Sequence, residues 1–297
     1  MVRRRSVHPL FAAALALTVL AAAPQGGAAR QAREARAAAD TVHKVTLVDG
    51  STVIGRIVEA DSTKVVVLTS TGARFEIERS NIASLRPVAG RIVNGEIWPE
   101  DANGTRLFFG PTGRALGHGR GYVGLYELFF SFAAVGIGDR VTMAAGTPIL
   151  PGLMGEVFYL APKVTVVNAP RLQVAAGALA FFATREIEEG SVGIAYGVAS
   201  FGDSDAALTF GAGWGFALVG DDSEIADEPV LMLGLERRVS RAMKLMSENY
   251  FANGNALISL GIRALGERFS GDAGAGAVVS GGDSSCCIPI LSFTWRF

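Results

Sequence analysis

The terminal stretch PILSFTWRF, residues 289–297, decides how the longer part of this chain is read. Leu291, Phe293, Trp295 and Phe297 alternate with Ile290, Ser292, Thr294 and Arg296. Side chains of a β-strand change face at every residue, so the large apolar set lies on one face and the smaller, more polar set on the other. The same alternation recurs upstream. Leu208, Phe210, Trp214, Phe216 and Leu218 are interleaved with Thr209, Gly211, Gly213, Gly215 and Ala217. Leu172, Val174, Ala176, Ala178, Ala180 and Phe182 are set against Gln173, Ala175 and Gly177. A solvated face normally carries polar side chains, whereas here the second face is mostly glycine and alanine.

Working outward, the cadence predicts strands at 105–111, 121–133, 140–146, 157–167, 171–184, 191–201, 206–219, 230–238, 243–250, 256–264, 268–278 and 289–297, about twelve in all. Segments of about ten residues with alternating hydropathy and Gly, Asp or Pro at the breaks are the pattern of an antiparallel transmembrane β-barrel. The ending in Phe297, with Phe293 and Trp295 on its face, resembles the closing strand of bacterial outer-membrane proteins. That resemblance implies insertion by the barrel-assembly machinery, outer-membrane lipid against Phe293, Trp295 and Phe297, and an outer-membrane location. Connections after even-numbered strands read as short and several after odd-numbered strands as long, including 147–156, 220–229 and 280–288. This places both ends of the barrel in the periplasm. The rival architecture is a soluble secreted β-sandwich, whose apolar faces would form a core between two sheets.

With that register, Arg106, Glu127, Lys163, Glu236, Lys244, Glu248, Arg263 and Arg296 project into the lumen and are the candidate binding residues. Charges of both signs on neighbouring strands fit a salt-bridged filling, whereas rings of one sign fit a selective pore. The favoured function is a structural or adaptor anchor that presents a small periplasmic domain. A passive channel or transport barrel for small solutes is the alternative.

The N-terminus carries Arg3, Arg4 and Arg5, then an apolar run over 10–23, then small residues through Ala29, the layout of a secretory signal peptide over 1–29. The run is shorter than the roughly 20 residues a membrane helix needs. Residues 30–41 read as a flexible Ala/Arg-rich leader and 89–104 as a linker before a barrel over 105–297. Between them, residues 42–88 contain β-branched runs separated by Asp49-Gly50, Asp61-Ser62 and Thr71-Gly72, with Arg79, Ser80 and Asn81 before a closing strand. The run KVTLVDGSTVIGRIVEADSTKVVVL resembles small Sm-like or SH3-like barrels. Sm-like relatives often bind RNA, but the formal net charge of −1 gives no basic footprint, so a periplasmic protein or cell-wall contact is expected and no nucleic acid.

At 49% hydrophobic and 19% charged residues the chain is too apolar to be disordered. No enzyme is expected. His118, in a glycine-rich stretch read as an external loop, is the only histidine placed for general base chemistry, and no Gly-Lys-Ser/Thr phosphate loop exists. The acidic run Asp221, Asp222, Glu224, Asp227 and Glu228 lacks calcium-loop spacing, so neither metal nor cofactor is expected. Cys286 and Cys287 are adjacent and, if extended, point apart.

Overall fold

The computed structural model describes residues 41–94, 96–183, 190–219, 222–281 and 283–297. The signal peptide and all but the last residue of the 30–41 leader lie outside them. The chain divides into two compact units, one running to Trp98 and one from Pro99 to Phe297.

In the first unit, β1 (Val42–Leu47), β2 (Thr52–Ala60), β3 (Lys64–Leu68), β4 (Arg74–Glu78) and β5 (Ile82–Val88) form one antiparallel sheet in the order β4-β3-β2-β1-β5. A 3-10 turn at Arg79–Asn81 precedes β5. Gly50 and Gly72, at φ +86° and +84°, turn the chain where Asp49-Gly50 and Thr71-Gly72 were read as breaks. Val45, Val65, Val67 and Ile77 form the core, with Val53, Ile57 and Ile82 packed against it. Asp61 organises the β2–β3 turn by accepting the N–H groups of Thr63 and Lys64 at 2.7 and 2.8 Å and the Thr63 hydroxyl at 2.7 Å. The Lys64 N–H, then the Thr63 donors, hold its pKa down to about 2. Because the folded value lies below the unfolded value of about 3.9, the stabilisation is complete above that pH and is lost as pH falls through the folded value. An Asp61→Ala chain is therefore expected to lose the dispersed amide signals of β1–β5 at lower urea than the parent near neutral pH. The two urea midpoints converge as the pH is taken down to about 2. An offset that is constant with pH would refute the role of the carboxylate.

The described residues of 89–104, expected to be a linker, are structured. β6 (Gly90–Val93) pairs with β7 (Glu96–Pro99), Arg91 stacks over Trp98 at 5.3 Å, and Asp101, Ala102 and Asn103 are buried.

The second unit is a single closed ring. Among the described residues its wall consists of twelve antiparallel strands: β8 (Gly121–Tyr126), β9 (Phe130–Ile137), β10 (Val141–Pro148), β11 (Val157–Ala169), β12 (Leu172–Ala183), β13 (Gly190–Gly202), β14 (Ala206–Val219), β16 (Val230–Ser240), β17 (Met243–Ala252), β18 (Asn255–Leu265), β19 (Phe269–Ser280) and β20 (Asp283–Arg296). A short β15 (Asp222–Ile225) folds back on β14. The ring closes where β20 pairs with β8, Phe293 opposite Leu125 and Trp295 opposite Val123. One closed sheet replaces the two stacked sheets of the sandwich alternative, and its first and last wall strands pair with each other over Ser292–Arg296, the closure that lets strands cross lipid. In β20, Phe293 and Trp295 are 45% and 43% exposed while Thr294 between them is fully buried, so the predicted register holds. Phe158, Phe210, Trp214, Leu231 and Leu260 continue the exposed apolar surface around the ring. Water would oppose such a surface and hydrocarbon accepts it, so the barrel is a transmembrane one.

The strand total agrees with expectation through two offsetting differences. Residues 105–111 are not a wall strand, because Leu107 and Phe108 are both fully buried and neither faces lipid. The stretch 121–133 is two strands, β8 and β9, joined at Glu127 and Leu128 with φ +47° and +60°. No Gly, Pro or Asn marks that turn, so an apolar run conceals it.

The connections β9–β10, β11–β12, β13–β14, β16–β17 and β18–β19 are short, and Gly121 and Arg296 lie at that end of the ring. The opposite end is less elaborate than expected. β17 and β18 turn tightly through Asn253 and Gly254, and β20 begins at Asp283, so 284–288 is strand and not loop. Cys286 and Cys287 therefore sit in β20. They do not point apart: Cys287 has φ +74° beside a shift in the β19–β20 register, which brings the two exposed sulfurs within 2.6 Å.

Candidate functional site

Residues 99–120 enter the lumen from the short-turn end and return to it before β8. Gly104, Gly110, Pro111 and Gly113 interrupt this stretch, so it forms no long element. Instead Leu107 N–H bonds to Gly110 O at 2.9 Å and Thr112 N–H to Thr105 O at 3.0 Å, a tight hairpin with Arg106 bridged to Pro111. Its tip inserts Leu107 and Phe108 among Ala175, Val198, Met232, Met246 and Ile290. Gly234 makes room on the wall, since a Cβ there would collide with Leu107.

A backbone packed inside a barrel must have its polar groups satisfied by the wall. Lys163 donates to the carbonyls of Thr105, Thr112 and Arg114 at 3.1, 2.9 and 2.8 Å. Glu248 accepts the N–H groups of Phe109 and Gly110 at 3.1 and 3.0 Å and the Tyr250 hydroxyl at 2.7 Å. Thr165 donates to Gly113 O at 3.0 Å, and the Gly113 N–H bonds to Ser200 at 3.0 Å. These wall groups are spent on the plug's main chain, a contact that requires the plug and that no solvent-lined pore would show.

Beside this lies a charged cluster, buried except for the partly exposed Arg114. Lys244 donates to Asp101 at 2.6 Å and to Glu236 at 2.8 Å, and Glu236 also holds Arg114. Arg263 forks onto Asp272 at 2.6 and 2.9 Å and reaches Asp101 at 3.0 Å. Its remaining N–H bonds go to the carbonyls of Asn103, Arg106 and Leu107 at 3.1, 3.2 and 2.7 Å. Three cations meet three carboxylates, so the cluster is neutral, and every guanidinium edge of Arg263 is occupied. At the short-turn rim Glu100 pairs with Arg120 at 2.6 Å and with Arg296 at 3.2 Å.

Of the eight lumen charges read from the sequence, Lys163, Glu236, Lys244, Glu248 and Arg263 project inward from the wall and are buried. Arg296 faces the rim. Arg106 is inside the barrel, but on the plug. Glu127 is not in the lumen: it lies in the β8–β9 turn, where its carboxylate accepts the Leu291 N–H at 3.2 Å. Phe293, Trp295 and Phe297 occupy the exposed face of the closing strand and the residue after it. Sequence reading missed Asp101 and Arg114, which fell in segments taken for linker and loop. It also missed Asp272, which strand parity supplies, since Asp272 stands directly opposite Arg263. His118 is not at the outer rim. Its Nδ1 accepts the N–H of Gly138, in the short β9–β10 connection, at 3.3 Å. Among the described residues no group of three or more His, Cys, Asp or Glu is placed to hold a metal ion.

No family model matches the chain and no curated protein matches it. Solved structures with a similar course include a loop L8 deletion mutant of OmpT, an outer membrane protein of Vibrio cholerae, at 14% identity, covering 86% of this chain and 96% of that one with a TM-score of 0.36. OmpT of Vibrio cholerae expressed in the outer membrane is similar at 13% identity, 86% and 93% coverage and a TM-score of 0.34.

Proposed function

We propose that this protein is a bacterial outer-membrane barrel whose lumen is closed by its own residues 99–120, and that it serves as an anchor presenting residues 42–88 to the periplasm. The observation that carries this reading is the pairing of Asp101 and Arg114, both on the plug, with Arg263, Lys244 and Glu236 on the wall. Wall charges that complete their bonding on the plug are unavailable to a passing solute. The order β4-β3-β2-β1-β5 with a 3-10 turn before β5 supports a small Sm-like or SH3-like barrel for residues 42–88. Its partner would be a periplasmic protein or the cell wall. Phe297, directly after β20, suits recognition by the barrel-assembly machinery.

The test combines two measurements on the full chain. An SDS gel of the outer-membrane fraction should show faster migration before boiling than after, because a closed barrel resists SDS until heated. In planar bilayers the same preparation should stay silent. Discrete ohmic steps would overturn the anchor in favour of the channel, and a soluble protein without a heat shift would remove it from the membrane.

A further inference from the structure

Beside the hairpin lies a cavity of about 170 Å³, lined by the plug and by strands β8, β10 to β14, β16 and β17. Its wall is apolar over most of its area, with Leu179, Ile194, Val198, Val230 and Met232, and three tyrosines, Tyr122, Tyr196 and Tyr250, add ring surface and hydroxyls. Two cations reach it, Arg106 and Lys163, and no Asp or Glu lines it among the described residues. The balance of charge differs from that of the neutral cluster around Arg263.

Among the described residues Arg106 is held without a carboxylate. Its guanidinium lies over the rings of Tyr126 and Phe132, at 5.4 and 5.5 Å from their centroids. Ring faces orient the cation and leave its N–H edge free of an anionic partner. Lys163 has its three carbonyl acceptors and likewise no acid. The nearby Glu248 carboxylate is occupied by Phe109 N–H, Gly110 N–H and Tyr250. A fixed guanidinium at the floor of an apolar chamber selects a ligand with one anionic head and an apolar body. The volume bounds that body. A cavity of about 150 Å³ holds one benzene ring, so the chamber fits a single-ring carboxylate or an alkyl acid of similar bulk.

We infer that this cavity binds a small apolar monocarboxylate, its carboxylate on Arg106 and its body against Ile194, Val230 and Met232. This goes beyond the anchor reading, because a barrel silent in a bilayer can still hold the acid. Isothermal titration of the detergent-solubilised full chain with benzoate, octanoate and benzyl alcohol tests it, with the heat shift on SDS gels certifying each variant as folded. Benzoate should bind at least about tenfold more tightly than the neutral, similarly sized benzyl alcohol. Arg106→Gln should remove that advantage and leave benzyl alcohol within about twofold, while Val230→Trp, which fills the chamber, should weaken both. A preference for octanoate over benzoate would assign an alkyl body to the ligand and still support the site. Equal binding of benzoate and benzyl alcohol, an unchanged benzoate affinity in folded Arg106→Gln, or no binding of either acid would overturn it.

Discussion

Replacing Arg263 by Ala is expected to destabilise the folded barrel by about 3–5 kcal/mol, the usual effect of removing one partner from a buried ion network. The side chain is fully buried and serves two carboxylates, Asp272 and Asp101, together with the carbonyls of Asn103, Arg106 and Leu107. Among the described residues its loss leaves Asp272 with the Ser292 hydroxyl and leaves Asp101 with Lys244 and the Asn103 N–H. Plug carbonyls lose their donors in the same place, and an unmet buried polar group is expensive to keep. Arg263→Lys should recover only part of the loss, because an ammonium cannot bridge Asp272 bidentately and reach three carbonyls at once. The rim provides the control. Arg296 pairs with a partly exposed Glu100 at 3.2 Å and donates to the Glu267 carbonyl at 2.8 Å, so Arg296→Ala should cost about 1–2 kcal/mol, less than Arg263→Ala. Guanidinium unfolding in micelles measures all three variants. If Arg263→Ala and Arg296→Ala unfold at the same midpoint, the network does not hold the plug.

The wall of this barrel was readable because each wall strand meets hydrocarbon on one side and the packed lumen on the other. Leu291, Phe293 and Trp295 must then alternate with Ser292, Thr294 and Arg296, and the period fixes the facing of Lys163, Glu236, Lys244, Glu248 and Arg263 as well. Residues 105–111 sit where neither face meets lipid, so period two carries no information there. The apolar run Leu107-Phe108-Phe109 mimics a strand for a different reason, namely that Leu107 and Phe108 fill the space between wall residues. Glu127 was misplaced because the β8–β9 turn uses Glu and Leu at positive φ, a backbone choice that leaves no compositional mark. Asp101 and Arg114 were invisible as site residues for the same reason as the plug, since their meaning depends on wall charges more than a hundred residues away in the chain. Asp272 differs from them. Its position opposite Arg263 follows from strand register alone, so pairing inward charges across neighbouring strands would have found it.

Excising residues 101–116 is expected to turn a silent barrel into a conducting one. The cut can be closed without spreading the ring, because the segment leaves and re-enters at the same rim: Glu100 and Arg120, on either side of it, are paired at 2.6 Å. The twelve wall strands and the β8–β20 seam contain none of the deleted residues, so the apolar exterior and the heat shift on SDS gels should persist. Inside, Lys163, Lys244 and Arg263 would face Glu236, Glu248 and Asp272 across water, and charges that were costly to bury become solvated. That exchange keeps the loss of stability smaller than removing a single partner while the plug remains. Barrels of this size have an interior that is filled by side chains or leaves a narrow channel, depending on what projects inward. Here the wall contributes many small inward residues, among them Ala175, Gly211, Gly213 and Gly234. Step-like currents in planar bilayers should therefore appear in the deletion and not in the full chain. With lumen charges of both signs they should discriminate weakly between cations and anions, giving a reversal potential near zero in a salt gradient. Silence from a deletion that keeps its heat shift would mean that the wall side chains alone close the lumen, and would remove the plug from its assigned role.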